Sequence, residues 1–327
     1  MLRRTMLQGA AGVLLAGLAR AGATLWRLAT GYRAESFHGQ NLQAWARQVE
    51  QASGGALRIE LQANGSLAPL AQIPAAVREG RAELGEAIMT GLAKEMPIAG
   101  ADAVPFVTRH YDDAQRLWLH QRPLVEPAFA ARGLRLLFAV PWPPQGLYST
   151  KPVASVQDLR GLRMRTYNAT TVRIAELLGA VPVDVAMVDV GRAVAEGRID
   201  AMITSAVTGV ENRVWDALKF FYEINAWFPK NAVFAGEAAL RSLPAQAREA
   251  LLVSAPQAEA RGWAASRQAA RDSVDELRRH GVKVELPAPR LALHLRRLGE
   301  RFALEWIREV GPQANAIFIP YHSSSTS

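Results

Sequence analysis

Cysteine is absent from the 327 residues, which excludes disulfides, thiolate nucleophiles and zinc-thiolate sites. Histidine is scarce and scattered: His38, His110, His120, His280, His294 and His322 form no HxH or HExxH pair. Each therefore reads as a surface or loop residue rather than a metal ligand. A GxSxG nucleophile elbow and a Walker-type phosphate loop are also missing. Residues distant in sequence still meet in a fold, so these absences weigh against an enzyme without excluding one. No metal or organic cofactor is expected.

What is present is an ordinary globular composition, 50% hydrophobic and 21% charged, long enough for one large or two medium α/β domains. The N-terminus reads as an export signal over residues 1–23. Arg3 and Arg4 form a positive start, Ala10 to Ala19 an apolar run too short to span a bilayer, and Ala21-Gly22-Ala23 a small-residue cleavage site. "RRTMLQ" also resembles a twin-arginine signal. The mature chain is expected to start near Thr24 in the periplasm. Of the formal charge of +8, Arg3, Arg4 and Arg20 supply +3 within that segment. The remaining arginines are scattered, which together with export argues against nucleic acid and for a small anionic ligand.

Hydrophobic periodicity predicts β-α-β-α-β from Leu25 to about Met89 and a second such set after the Pro-rich break "VPWPPQG". The halves share a phrase, "AVREGRAEL" (Ala76 to Leu84) and "AVAEGRIDA" (Ala193 to Ala201), each a helix end, a Gly cap and an acidic residue before a strand. "LKFFYEINAWF" and "NAVFAG" read as strands that could cross between two lobes, "VKVEL" as another strand, and Leu291 to Val310 as a helix capped by Gly311. A helical stretch from Pro244 to His280 contains Pro256, which removes a backbone donor and is expected to kink or break it. "HSSSTS" reads as a loose tail.

Within "DLRGLRMRTYNAT" (Asp158 to Thr170), Arg165 sits near the carboxyl end of a strand, and Asn168 and Ala169 start the next helix. Ligands of open parallel sheets bind at such strand ends. A guanidinium beside a helix start makes an anion site, because Arg grips a carboxylate through two parallel hydrogen bonds. Arg160 and Arg163 are expected to be solvated or paired with acids such as Asp158.

Several segments in order resemble the solute-binding proteins of tripartite ATP-independent periplasmic (TRAP) transporters, of the dicarboxylate-binding DctP type. They are "WARQVEQASGGALRIELQANGSLAP", "AVREGRAELGEA", "DAVPFVTRHYDDAQ", "STKPVASVQDLRGLRMRTYNAT", "LGAVPVDVAMVDVGRAVAEGRIDAM" and "LRSLP". The resemblance implies an α/β, two-lobed periplasmic binding protein fold with mixed, largely parallel sheets flanked by helices and a long inter-lobe helix. Lobe I is expected over residues 24–142 plus about 231–270, and lobe II over 143–230 plus about 271–327. It also implies that Arg165 forms the salt bridge to the ligand carboxylate, with Asn168 as a helper, and that the partners are a small organic acid and the membrane subunits of a TRAP permease. A monomer is expected.

Departures from the family pattern bear on the ligand. Sialic-acid-binding members place another arginine shortly before the equivalent of "STKPV", where this chain has Gln145. "DAMITSAVTG" replaces the common Asp-Gly-x-Glu-Asn-Pro and leaves Thr204 and Ser205 at that point. Phe37, Ile88, Met89 and Trp142 are candidate cleft residues, as are Tyr148, Met187, Trp227, Phe228 and Asn231. A largely apolar set beside one arginine suggests a monocarboxylate with an apolar or aromatic tail, such as a 2-oxo acid. A periplasmic sensor subunit and a periplasmic enzyme are the competing readings.

Overall fold

Both βαβαβ units are present, and each builds one end of a sheet. In the computed structural model, which describes residues 23–323, the first unit is β1 (Thr24–Ala29), α1 (Phe37–Ala52), β2 (Leu57–Gln62), α2 (Ile73–Arg78) and β3 (Leu84–Ile88). The short α3 (Met89–Leu92) and then α4 (Tyr111–Ala130) lead to β4 (Leu134–Pro141). β5 (Gln145–Ser149) precedes the second unit, made of β6 (Arg163–Thr166), α5 (Ala169–Leu177), β7 (Val181–Asp184), α6 (Val190–Ala195) and β8 (Ala201–Ser205). The chain continues through α7 (Ala206–Glu211), β9 (Phe220–Tyr222), β10 (Lys230–Gly236), α8 (Glu237–Ser242), α9 (Ala245–Arg279), β11 (Lys283–Glu285), α10 (Pro289–Val310) and α11 (Pro312–Ser323). The expected export segment, apart from Ala23, lies outside the described residues. Of the expected tail, His322 and Ser323 end α11, and the rest lies outside them.

The strand orders are β2-β1-β3-β10-β4 and β11-β9-β5-β8-β6-β7. Each unit places its first strand in the middle, parallel to the other two. Each sheet then continues with an antiparallel strand from elsewhere in the chain: β10 beside β3, and β5 beside β8. The sheets are therefore built alike, and the shared phrase falls at equivalent places, α2 into β3 and α6 into β8. Gly80 and Gly197 follow these two helices with φ of 72° and 62°, a left-handed conformation that glycine adopts without a Cβ clash.

Two chain segments cross between the sheets side by side, 142–144 leading out of β4 and 223–229 leading into β10. They are zipped by backbone bonds in which the Trp142 N–H donates to Pro229 O at 2.7 Å, Gln145 N–H to Trp227 O at 3.0 Å and Ala226 N–H to Gln145 O at 2.9 Å. The expected crossing of "LKFFYEINAWF" is present, although only Phe220–Tyr222 of it is strand.

Helix α9 is the third connection, and its 35 residues run unbroken through Pro256, which corrects the expected break. At 1.5 Å per residue this is roughly 50 Å of helix. Anchors on both sides of Pro256 hold the path. The Trp45 indole N–H donates to Ser254 Oγ at 2.9 Å, Asn41 Nδ2 to Ala258 O at 3.0 Å, and the Trp263 indole to Ala139 O at 3.1 Å. Ala255 and Ala258 lie in the first sheet's core, while Leu277 lies in the second's. The stretch 271–323 is divided in its packing: Leu291, Leu295 and Leu298 of α10 join a core of the second sheet, but Ile317, Phe318 and Tyr321 of α11 join that of α4.

Close approach of α9 to β4 depends on Gly262, where an added Cβ would lie 2.4 Å from Val140 Cγ2 and 2.8 Å from Asn41 Nδ2. Gly262→Val is expected to cost about 1–3 kcal/mol of stability through overpacking, read as a lower urea midpoint.

Candidate functional site

A cavity of about 530 Å³ lies between the two sheets. Tyr32, Leu70 and Ile88 line it from the first side, Arg165, Met187 and Thr204 from the second, and Trp142 and Gln145 from the crossing. Its placement follows from topology: Tyr32 and Ile88 stand at the carboxyl ends of β1 and β3, and Arg165 and Thr204 at those of β6 and β8. Among the residues lining it, Arg165 carries the only formal charge at neutral pH.

Arg165 is 4% exposed. Its Nε donates to the Val185 carbonyl at 2.9 Å, and its guanidinium lies 4.8 Å from the Tyr167 ring centroid, within cation–π range. Among the described residues no carboxylate forms an ion pair with it, and its terminal amino nitrogens donate to no protein acceptor. Burial pulls its pKa below the usual arginine value, opposed by Tyr167 and Asp184, but a guanidinium remains charged in proteins. Burial raises the Tyr167 pKa, and the Arg165 charge and the neighbouring Trp227 indole oppose the rise.

The opposite wall rests on a buried polar network. Thr30 Oγ1 donates to Glu86 Oε2 at 2.5 Å, and Asn231 Nδ2 to Glu86 Oε1 at 3.0 Å. His38 Nδ1 lies 3.2 Å from Glu86 Oε1. On its other side Asn231 Oδ1 accepts from the Trp142 indole at 2.9 Å and from Tyr32 Oη at 3.4 Å. Burial alone would raise the Glu86 pKa, but the charge interaction with nearby His38 and the hydrogen bonds from Thr30 and Asn231 outweigh it and hold the carboxyl below its ordinary value. At the crossing, Lys230 and Asp102 form a fully buried ion pair at 3.2 Å, and the Lys230 backbone N–H donates to Asp102 at 2.8 Å.

With this geometry, residues 28–295 match the model of DctP, the bacterial extracellular solute-binding protein family 7. The chain belongs to that family. Solved relatives agree. Bordetella pertussis DctP6, an extracytoplasmic solute receptor binding pyroglutamic acid, is 35% identical with a TM-score of 0.89, covering 92% of this chain and all of its own. B. pertussis DctP7, described in the same words, is 36% identical over the same shares with the same TM-score. A marine metagenome TRAP solute-binding protein specific for pyroglutamate is 33% identical, also at 0.89, over 93% of this chain and 100% of its own. A curated relative, the uncharacterised YiiZ of Salmonella typhimurium, is 23% identical over 185 residues, 55% of this chain, and the match spans 56% of its length. The two-lobed α/β architecture expected from the sequence is thus the fold of TRAP solute receptors, a transport family rather than an enzyme family. No helix among the described residues is long and apolar enough to cross a membrane.

Of the residues expected in the cleft of this DctP-family protein, Arg165, Gln145, Trp142, Met187 and Thr204 line the cavity, with Ile88 and Ser205. Others lie elsewhere. Asn168 caps α5, its Oδ1 accepting from Thr171 N–H at 2.9 Å. Met89 and Phe228 are core of the first lobe, Tyr148 and Trp227 of the second, all fully or almost fully buried. Phe37 packs behind Trp142 at a ring separation of 5.5 Å. Asn231 sits one layer behind the wall. Arg163, as expected, is paired, but with Asp200 through bonds of 2.8 and 2.7 Å; Asp158 instead accepts from the Ala154 and Ser155 N–H groups.

Sequence reading missed Tyr32, Tyr167 and Glu86, and placed His38 on the surface. Only the spacing of Glu86 within an apolar strand, "LGEAIM", signalled a buried acid.

A carboxyl whose folded pKa is depressed contributes stability that is present above its unfolded pKa and lost as pH falls through the folded one. Glu86→Gln should therefore destabilise the protein at pH 7 by roughly 3 kcal/mol, the cost of breaking a buried ionic contact. The gap to the unmodified protein should narrow below about pH 4, a trend that melting curves across pH would reveal.

Proposed function

We propose that this receptor captures a small organic monocarboxylate in the periplasm, with Arg165 gripping the carboxylate, and delivers it to the membrane subunits of a TRAP permease. The observation that carries this reading is the charge inventory of the cavity: one buried guanidinium and no second cation, with Gln145 at the point where a further arginine would favour a second anionic group. A ligand carboxylate would accept two parallel hydrogen bonds from the free terminal nitrogens, the strongest use of arginine geometry. Tyr32, Trp142, Leu70, Ile88 and Met187 offer mostly apolar contact to the remainder of the molecule.

The solved relatives at 33–36% identity that bind pyroglutamate make that acid the first candidate. 2-Oxo acids with apolar or aromatic tails are the second. Capture would proceed by closure of the lobes about the crossings, since a ligand touching both walls favours the closed state by its extra contacts there. The receptor would work as a monomer, which light scattering can check.

Arg165→Ala should weaken carboxylate binding at least about 100-fold, from the loss of two charge-assisted bonds. The folded state should persist, because the guanidinium's missing partner is the ligand. Titration calorimetry giving unchanged affinity in that variant would remove Arg165 from the site. A thermal-shift screen in which dicarboxylates raise the melting temperature more than monocarboxylates would overturn the single-cation argument.

A further inference from the structure

Closure has an electrostatic component outside the ligand's reach, and it follows from where α7 meets the first lobe. Val207, the second residue of α7, is buried in one cluster with Tyr32 and Trp142, against which Phe37, Leu70 and Met187 pack. That cluster joins residues from both sides of the cleft. Arg33 follows Tyr32 directly in the chain, and Glu211 lies four residues after Val207, about one turn along the same face of α7. The packing that brings Val207 to the first lobe therefore sets Glu211 on the side of α7 that faces Arg33.

Arg33 is exposed and Glu211 half-buried. Among the described residues neither forms an ion pair or a side-chain hydrogen bond. Burial pushes the Glu211 carboxyl above its ordinary value, and the charge that opposes the rise is Arg33. Arg213, two residues on, turns instead to the Trp215 ring, 5.8 Å from its centroid. Glu211 thus carries a desolvation cost that its own lobe leaves unanswered. We propose that Arg33 and Glu211 are positioning residues for capture, opposite charges on the two lobes that attract as the cleft closes and so hold the loaded receptor shut. This rests on the reading of capture as lobe closure. The attraction grows as the separation shrinks, so it favours the closed form over the open one. Because the pair does not line the cavity, it lengthens the stay of every acid that enters and selects among none.

The lack of cysteine allows two to be introduced as unique spin-label sites, Leu119→Cys on α4 and Val181→Cys on β7, both exposed positions. Distances between the labels, measured by pulsed electron resonance with and without saturating pyroglutamate, report how far the lobes have closed. Reversing one charge, Arg33→Glu or Glu211→Arg, should lower the ratio of closed to open form at least about two-fold, and the combined swap should restore it. The exposed Arg33 tolerates reversal without a folding defect, and rescue by the swap is not a property of residues that only hold α7 in place. Distances unchanged by either reversal in both conditions, or a shift that the swap does not undo, would overturn the proposal. If pyroglutamate shortens the distance while the reversals do nothing, closure stands and only the charge pair falls. If the reversals lengthen it while pyroglutamate has no effect, the pair stands and pyroglutamate is not the ligand. A distance fixed under every condition removes the closure reading and the pair together.

Discussion

A buried guanidinium without a countercharge is the constraint around which this molecule is arranged. Removing an ion from water is costly unless partners replace its hydration, and Arg165 keeps one carbonyl, at Val185, and the face of Tyr167. The strand supplies position, since the alternation that exposes Arg163 to Asp200 turns Arg165 in the same direction one pleat further into the cleft. Trp227, on the crossing segment, is a close neighbour of the Tyr167 side chain.

Other buried charges show how different that arrangement is. Glu86 has three polar neighbours from separate elements, and Lys230 has Asp102, so both are answered within the chain. These pairs lie in the first lobe and at the crossing, and they give the cleft a stiff wall and a stiff root. Arg165 is the one formally charged residue in the cavity's lining, and among the described residues no carboxylate pairs with it.

Much of this was legible from local chemistry. Periodicity located the two βαβαβ units, and the repeated Gly-capped phrase correctly marked equivalent corners of the two sheets. Arg165 stood out by its place at a strand end before a helix start, and it lies in the cavity's lining. Failures arose where tertiary contacts override local rules. Pro256 reads as a break, yet anchors at Ser254, Ala258 and Trp263 carry α9 past it. Asn168 reads as a ligand donor or a cap with equal right, and only coordinates show the cap. Met89 and Trp227, for each of which core was already the better single reading, are core residues; hydrophobicity reports burial without saying against what. The Glu86 network joins β1, α1, β3 and β10, and no local pattern announces a contact assembled from four elements.

The exchange of strands between the sheets bears on the order in which the chain can assemble. β10 lies between β3 and β4, and Asn231 meets Glu86 across 145 positions of sequence. The first sheet therefore lacks an interior strand until nearly all of the second has been made. Pairings so distant are slow to form because loop closure precedes the contacts that reward it. A chain emerging from one end therefore holds no finished first sheet until residue 236 has been made.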